Sequence, residues 1–359
     1  MFNRQSRRAR LAIGLAGLAL VAGACAPAAD PEKHTIGFSN PGGVGNGWRE
    51  QQLCTARAQA LASGEISEFT AIHRNTDAAG QLADIRDLIA KGVDAIIINP
   101  ADPDALNPAL KEALDAGIVV VAVDAYVTQE GVYNLSNDQV KYAELGARWL
   151  FEKLGGTGQV LYMRGIAGHP ADTDRHTGFT TALEDFPGIE VLPGPEGVHT
   201  GWDHATGTTL INDFIAGGLD FDGIWTSGID QAIVDAIKAA GRPFVPIVGA
   251  DQTGFVGQLL DTEGFPGLEG VAVSNPASVG GAGVTLALKL LAGETVETGP
   301  RNTVLLTPVA VDNVTEEGRT QLADWQEAGL DPLWPLAWEI PGWTTYTLEQ
   351  AIACKGPGE

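Results

Sequence analysis

Four short apolar runs of the chain end beside polar side chains that could bind a ligand. Asn99 and Asp124 directly follow the runs AIII and VVVAV, and Asp251 closely follows VPIVG. Ser274 and Asn275 follow the fourth run, GVAV. Ionised carboxylates accept strong hydrogen bonds, and amides both donate and accept them. This combination suits a ligand that carries several hydroxyl groups.

A second candidate set lies in the glycine-rich stretch NPGGVGNGWR at 40–49. Trp48 and Arg49 stand side by side there and could stack on a ligand and hydrogen-bond it. A dinucleotide-binding fingerprint that used Gly43 and Gly45 would need a third glycine where Trp48 stands. We therefore interpret the stretch as a loop that leads into a helix near Trp48. Core packing of the tryptophan and a solvated arginine are the structural alternatives.

The stretch 75–124 predicts the elements that position the first two strand-end residues. Apolar residues recur at three- and four-residue spacing from Ala79 to Ile89, which indicates a helix. Asp77 is a candidate cap for its start, and Gly92 follows its end. Two short apolar runs, one on each side of a second helix, suit strands of a parallel sheet that is buried on both faces. Ligands bind at the carboxyl edge of such sheets.

The remainder of the chain continues the alternation of strands and helices. Further strands are predicted at 35–39, 70–73, 159–164, 190–192, 223–226, 245–249, 270–273 and 303–307. The segment after Asp124 is interpreted as a crossing between two halves, and the loop GIAGHPADTDR as leading to a helix from about Thr177. The pattern predicts an α/β protein of two Rossmann-like lobes with parallel sheets, joined by a hinge, with a cleft between them.

The composition describes a globular chain that is long enough for two domains. Its 359 residues are 44% hydrophobic and 19% charged, and the formal net charge is −23. So acidic a chain repels nucleic acid, and no nucleic-acid partner is expected. Neither a nucleophile elbow nor an H-E-x-x-H motif is present, and we predict no cofactor and no metal.

The N-terminus has the pattern of an export signal. Arginines among residues 1–10 precede an apolar run at 11–24 that is short for a bilayer span. We predict a signal peptide at 1–24, lipidation of Cys25, and a tether over 25–33. Cleavage by an ordinary signal peptidase and twin-arginine export are the alternatives. The protein is expected in the periplasm or on the outer face of the cell membrane, held there by its N-terminal lipid.

Two further cysteines, Cys54 and Cys354, are present. An oxidising compartment favours one disulfide between them, which would tie the C-terminal tail to the first helix. Closing so large a loop would stabilise the fold by about 5 kcal/mol. Two unrelated buried thiols are the alternative.

Several motifs together carry a family resemblance over the stretch from about Thr35 to Val311. They are DLIAKGVDAIIINPADPDAL, VAVDA, LSNDQ, RGIAGHPADTDRHTGF, IVGAD and SNPASVGGAG. With them the chain resembles the ribose- and galactofuranose-type periplasmic sugar-binding proteins of ABC importers, and the triplet GWR is closer to the galactofuranose branch. The resemblance implies a type I periplasmic binding protein fold. It also implies a monomer that binds a small sugar without turnover and delivers it, by hinge closure, to a permease and an ATPase that are separate chains.

The resemblance further implies a ligand-binding role for residues of both lobes. They are Asn46, Trp48, Arg49, Asn99, Asp124, Asn137, Ile166, Arg175, Trp202, Asp203, Asp251, Ser274 and Asn275. The arginines and Asn99 would donate hydrogen bonds, and the two tryptophans would lie on the apolar face of the sugar. A buried carboxylate needs a partner, so we expect Asp124 to be neutralised by Arg175 or Arg49.

Other functions are alternatives to sugar binding for an importer. A receptor for a nucleoside, a polyol or a sugar-derived signal is the main alternative, and an exported enzyme is a remote one. A transcription regulator of the same fold would need a DNA-binding helix pair in the place that the export signal occupies.

The predicted domain limits follow from these elements. The N-terminal lobe comprises residues 34–137 and 275–307, and the C-terminal lobe comprises 138–274 and 308–312. The extension at 313–359 is rich in tryptophan and proline. We interpret it as packing on the lobes rather than as part of a binding site.

Overall fold

The computed structural model describes residues 33–41, 46–326, 330–336 and 339–353. The chain forms two lobes there, each built on one sheet. No helix within these ranges is long and apolar enough to cross a membrane. The predicted signal peptide, Cys25 and Cys354 lie outside the described residues.

The first lobe is built on a six-stranded sheet with the order β12-β5-β4-β3-β1-β2. All of its neighbouring strands pair in parallel. Its strands are β1 (His34–Pro41), β2 (Ile66–Arg74), β3 (Ala95–Ile98), β4 (Val119–Val123), β5 (Tyr133–Asn137) and β12 (Thr303–Leu306). Its helices are α1 (Gly47–Ser63), α2 (Ala78–Lys91), α3 (Asn107–Asp115) and α9 (Val279–Leu291).

The second lobe is built on a sheet with the order β13-β11-β10-β9-β6-β7, with β8 beside β6. Only the β11–β13 pair is antiparallel among the described strands. Its strands are β6 (Thr157–Arg164), β7 (Gly188–Leu192), β8 (Val198–His199), β9 (Gly223–Trp225), β10 (Ile247–Ala250), β11 (Gly270–Val273) and β13 (Ala310–Asp312). Its helices are α4 (Gln139–Lys153), α5 (Pro170–Glu184), α6 (His204–Ala216), α7 (Asp230–Ala239) and α8 (Thr253–Leu260), and the C-terminal extension adds α10 (Glu316–Trp325) and α11 (Leu348–Ala351).

The sequence pattern at 75–124 is confirmed almost residue by residue. The Asp77 side chain caps α2 by accepting a hydrogen bond from the backbone N–H of Gly80, and Gly92 ends the helix in the left-handed conformation at φ 72°. Every residue of β3 is fully buried, as a strand covered on both faces should be. These short connections place the carboxyl ends of β3 and β4 at one edge of the first sheet.

Helix α5 and strand β5 differ from the predictions, each for a local reason. Helix α5 begins at Pro170 rather than near Thr177, because His169 caps it and a proline suits the first helical turn. The segment after Asp124 contains strand β5, which the crossing interpretation omitted. Residue Asn134 of this strand is polar but buried, and its side-chain oxygen accepts from the Val127 N–H at 2.8 Å. Because of this polar residue, the segment did not have the apolar pattern of a buried strand.

Helices α10 and α11 of the extension were also not predicted, nor were three short elements, β8, α8 and β13. The first and last have two and three residues, which is too few for a periodic pattern. Helix α8 contains Gly254 and Gly257, and glycine is a poor helix former.

Candidate ligand-binding site

A cavity of about 580 Å³ lies between the lobes, where strands of both sheets end. Its size is within the usual range for small-molecule sites. The predicted residues that line it are Asn46, Trp48, Arg49, Asp124, Arg175, Trp202, Asp203, Asp251 and Asn275. Residues that were not predicted also line it, among them His169, Ser227, Gln252, Leu333 and Pro335.

Asp124 is placed by an unusual backbone conformation directly after β4. Its φ is 70°, a left-handed value that aspartate tolerates better than most residues. Its backbone N–H donates to the Leu135 carbonyl at 3.0 Å, which fixes the turn. The side chain is 7% exposed. Burial raises the pKa of this carboxyl, while the nearby positive charges of Arg49 and Arg175 act in the opposite direction.

Gln139 links Asp124 to Arg175 at the start of α4. Its Nε2 donates to Asp124 Oδ1 at 3.3 Å, and its Oε1 accepts from Arg175 Nε at 2.8 Å. The Arg175 guanidinium also lies 4.3 Å from the ring centre of Tyr142, a cation–π distance. A neutral amide therefore bridges Asp124 and Arg175, and Arg175 is held from two sides.

The first turn of α1 presents Trp48 and Arg49 to the cavity. The Asn46 side chain caps this helix by accepting from the Arg49 N–H at 3.1 Å. Arg49 Nη1 donates to Asn40 Oδ1 at 3.1 Å, which ties the guanidinium to the end of β1. Trp48 Nε1 donates to the Asn275 carbonyl at 2.7 Å. Protein contacts thus orient both side chains, which reduces the entropy lost on binding.

Trp202 is held in place by a contact that requires a glycine. A Cβ at Gly165 would lie 2.0 Å from Cε2 and 2.5 Å from Nε1 of the indole, so only glycine leaves room for the ring. Trp202 itself has a φ of 53°, and such a conformation of a bulky residue often marks a functional site. The Arg175 guanidinium carbon lies 5.5 Å from the Trp202 ring centre. Residues of β6, α5 and the loop before α6 therefore form one wall.

His169 is a functional candidate that the sequence analysis missed. It packs edge-on against Trp202, with 5.1 Å between ring centres. Its Nδ1 accepts from the Ala171 N–H at 3.2 Å, so the neutral ring carries its proton on Nε2. Burial and the positive charges of Arg49 and Arg175 lower the pKa of His169 to about 3. The imidazole stays neutral at physiological pH and offers a hydrogen-bond donor. The sequence did contain a signal: a proline directly after His169 is typical of the first turn of a helix, which would place His169 at the helix start.

Two buried aspartates lie near the end of β10. Asp251 is 1% exposed and lines the cavity. Asp230, which opens α7, is fully buried and accepts from the backbone N–H groups of Gly228 at 3.1 Å and Ala250 at 3.0 Å. Burial raises the pKa of Asp230 to about 7, although these hydrogen bonds and Arg175 oppose the shift.

The titration of Asp230 gives a pH-dependent contribution to stability. An unfolded aspartate titrates near about 3.9, whereas the folded-state pKa is about 7. The native state therefore holds a proton that the unfolded state has lost, and stability falls as pH rises from about 4 to about 7. Removing the carboxyl by Asp230→Asn should make the variant gain stability relative to wild type across that window. Urea unfolding at pH 4.5 and pH 7.5 measures this, and a stability difference that does not change with pH would contradict it.

Four predicted residues do not line the cavity. Asn99 is fully buried and donates to Gln52 Oε1 at 3.0 Å. The Asn137 amide lies 2.9 Å from the Asn275 amide, and the Ser274 hydroxyl accepts from the Val309 N–H at 2.7 Å. These three side chains support the site or the chain segments that cross between the lobes. Ile166 is 42% exposed on the loop after β6.

Asp203 lines the cavity rim but uses its carboxylate locally. The same oxygen, Oδ1, accepts from the backbone N–H of Thr206 at 2.8 Å and from its hydroxyl at 2.7 Å, which caps α6. These hydrogen bonds lower the pKa of the Asp203 carboxyl. Asp203 is therefore a positioning residue for the wall that carries Trp202.

The charges and the shape of the site favour a neutral ligand. Two guanidinium groups face the carboxylates of Asp124 and Asp251, while the third lining carboxylate, that of Asp203, is hydrogen-bonded to Thr206, so no strong net charge remains for a charged ligand. Carboxylate, guanidinium, amide and indole groups converge on a small volume, which is the donor and acceptor set that hydroxyl groups need. No cluster of side chains among the described residues could hold a metal ion.

Comparison with known proteins agrees with the family resemblance of the sequence motifs. A family model described as periplasmic binding protein domain matches residues 36–295. A xylitol-binding protein of Mycolicibacterium smegmatis is 29% identical over 244 residues, which cover 67% of this chain and 68% of that protein. A D-ribose/D-allose-binding protein of Pseudomonas aeruginosa is 30% identical over 248 residues, covering 66% of this chain and 75% of that protein.

Solved structures agree in fold. An ABC transporter solute binding protein from Thermobispora bispora superposes with a TM-score of 0.73 at 26% identity, covering 89% of this chain and 94% of that one. An arabinose-transporter binding protein from Shewanella, bound to arabinofuranose, has a TM-score of 0.70 at 23% identity, covering 81% of this chain and 95% of that one. At that identity the likeness concerns the fold alone.

Proposed function

Because the chain belongs to the periplasmic binding protein domain family, we propose that it is the solute-binding protein of an ABC transporter. It binds one small neutral sugar or polyol in the cavity between its lobes. The observation that carries the proposal is the set of groups that protein contacts orient around that cavity: Asp124 and Arg175, which are buried, and Arg49 and Trp202, which are partly buried. The names of the relatives, which include ribose- and xylitol-binding proteins, support a ligand of this class.

The binding groups have distinct roles in this proposal. Asp124 and Asp251 accept hydrogen bonds from hydroxyls, Arg49 and Arg175 donate to ligand oxygens, and His169 donates from neutral Nε2. Trp48 and Trp202 cover the apolar face of the ring. None of these steps makes or breaks a covalent bond, so release of a chemically altered sugar would contradict the proposal.

Delivery follows from the two-lobed architecture. The lobes, which we take as residues 34–137 with 275–307 and 138–274 with 308–312, close about the ligand by hinge motion. The closed form is then presented to a permease whose ATPase is a separate chain. We further propose a monomer that is exported and anchored through a lipid on Cys25. This placement would keep it at the outer face of the membrane.

We also propose a disulfide between Cys54 and Cys354. Cys54 is buried in α1, and the tail folds back onto that helix. Gln51 Nε2 donates to the Ala351 carbonyl at 2.8 Å, three residues before Cys354 in sequence. The described end of the tail is thus packed against the helix that carries Cys54.

Mass spectrometry tests the disulfide on the purified exported protein. Proteolysis without reduction should release the peptides of Cys54 and Cys354 as one linked species, which separates on reduction. Recovery of both peptides unlinked, with alkylated thiols, would refute the bridge. The single cysteine variants Cys54→Ser and Cys354→Ser serve as controls that cannot form it.

A thermal-shift screen tests the proposed function. A ligand present far above its Kd raises stability by a few kcal/mol, on the order of several degrees for a chain of this size. We expect a shift with one or a few pentoses, hexoses or polyols and none with sugar phosphates. A shift with nucleosides or amino acids alone would overturn the assignment of the ligand class.

A further inference from the structure

The C-terminal extension runs from the second lobe to the first and passes beside the ligand cavity. Leu322 and Trp325 of α10 belong to the core of the second lobe, whereas Ile340 belongs to the core of the first. Gln59 of α1 pairs with Thr345 through two hydrogen bonds: its Nε2 donates to the Thr345 hydroxyl at 3.0 Å, and its Oε1 accepts from the Thr345 backbone N–H at 2.8 Å. Between these anchors lies the segment 330–336, which we call the cavity strap.

The cavity strap is fixed to the second lobe through backbone hydrogen bonds at the ligand site. The Leu336 N–H donates to the Asp251 carbonyl at 3.0 Å. The Thr253 N–H donates to the Trp334 carbonyl at 2.9 Å, and the Gly254 N–H donates to the Pro332 carbonyl at 2.8 Å. The strap is therefore attached directly to the residue that supplies one of the ligand-facing carboxylates.

The other side of the cavity strap touches the first lobe at the start of α1. A Cβ at Gly47 would lie 2.5 Å from Trp334 Cδ1 and 2.9 Å from the Leu333 carbonyl oxygen. Trp334 is 2% exposed, so its indole anchors the strap. Gly47 directly precedes Trp48 and Arg49, and the strap therefore meets both lobes at their ligand-binding residues.

Two apolar side chains of the strap face the ligand space. Leu333 and Pro335 line the cavity, and Leu333 is 41% exposed although it lies on this packed segment. A bound ligand would cover that exposed leucine. Neither side chain can hydrogen-bond, so a hydroxyl or charged group pressed against them would lose its water without compensation.

From this arrangement we propose that the cavity strap is the wall that limits the size of the ligand. This contradicts the interpretation of the extension as packing alone. The inference rests on the proposed function, because it assigns a size limit to the same sugar site. The class of ligand it admits is a small neutral sugar or polyol without an added substituent at the end that faces Leu333.

The test compares ligands of graded size on Leu333→Ala and on a matched control. The control is Leu348→Ala, since Leu348 is a leucine of the same extension, 45% exposed, that does not line the cavity. Calorimetry measures the Kd of the best ligand from the screen and of its methyl glycoside or methyl ether. A pocket contact of one methylene discriminates by about tenfold or more. The preference is the ratio of the two Kd values. We expect Leu333→Ala to shift this ratio by about tenfold in favour of the larger ligand.

The outcomes separate this inference from the proposed function. Leu348→Ala should keep the wild-type preference. If Leu333→Ala also keeps it while wild type binds sugars, the size-limiting wall is refuted and the proposed function stands. If wild type binds no sugar or polyol at all, both fall. Should Leu333→Ala not fold, as judged by its circular dichroism, Pro335→Ala with the same ligand pair gives the decision.

Discussion

Replacing Arg175 by methionine is expected to lower the affinity for the bound sugar by about 100-fold. Removing one member of a buried, hydrogen-bonded charge pair costs about 2–5 kcal/mol, and about 1.4 kcal/mol corresponds to a tenfold change in Kd. Arg175 is 6% exposed and connects to Asp124 through Gln139. Methionine keeps a stem of similar length over Tyr142 but removes both the charge and the donors. Isothermal titration calorimetry measures the loss.

Arg148→Met is the matched control for this experiment. Arg148 is an arginine of α4 that pairs with Glu144 at 2.8 Å and with Asp185 at 2.9 Å, and it does not line the cavity. Its replacement should leave the Kd unchanged, since partly exposed ion pairs contribute little. An Arg175→Met protein that folds and binds with the wild-type Kd would remove Arg175 from the site.

Replacing Gly165 by alanine is expected to weaken binding by about 30-fold without touching the ligand. The new Cβ would overlap the Trp202 indole, at 2.0 Å from Cε2. The ring must move, and it takes with it the surface that packs on Arg175 and His169. Loss of a buried aromatic anchor costs about 2 kcal/mol or more, which corresponds to about 30-fold in Kd. The measurement is the Kd of the best ligand from the screen.

A double-mutant cycle shows whether Gly165 acts through Trp202. In a Trp202→Ala background, Gly165→Ala should have almost no further effect, because the contact it disturbs is already gone. Gly194→Ala is the control for a glycine of the same lobe, since a Cβ there meets nothing within 4 Å. Equal losses of affinity with and without Trp202 would show that Gly165 does not position the indole.

The part of the site that could be predicted from sequence is the part that strand ends determine. Asp124 and Asp251 follow buried strands of parallel sheets, and parallel strands bring their carboxyl ends to one edge. Short apolar runs located those strands, and both residues line the cavity. The family resemblance added Arg175, which lies within a helix whose start was predicted too late.

The rest of the site depends on packing that no local sequence pattern encodes. Asn99 follows a predicted strand, whereas Asn137 ends β5, which was not predicted, and neither residue lines the cavity. Their amides donate to Gln52 and Asn275. His169 reached the site because a proline begins α5 seven residues before the predicted start. The cavity strap depends on contacts between residues far apart in sequence, such as Asp251 and Leu336. Such long-range contacts cannot be read from composition or spacing.

The most direct test of the central claim is isothermal titration of the mature protein with a neutral sugar and with its uronic acid. We predict one neutral ligand bound per chain, and binding of the acid that is weaker by at least about tenfold. The reason is that an added carboxylate would face Asp124 and Asp251, whose charges already balance the two arginines. Tighter binding of the acid, or no heat with any neutral sugar or polyol, would contradict the assignment of this cavity.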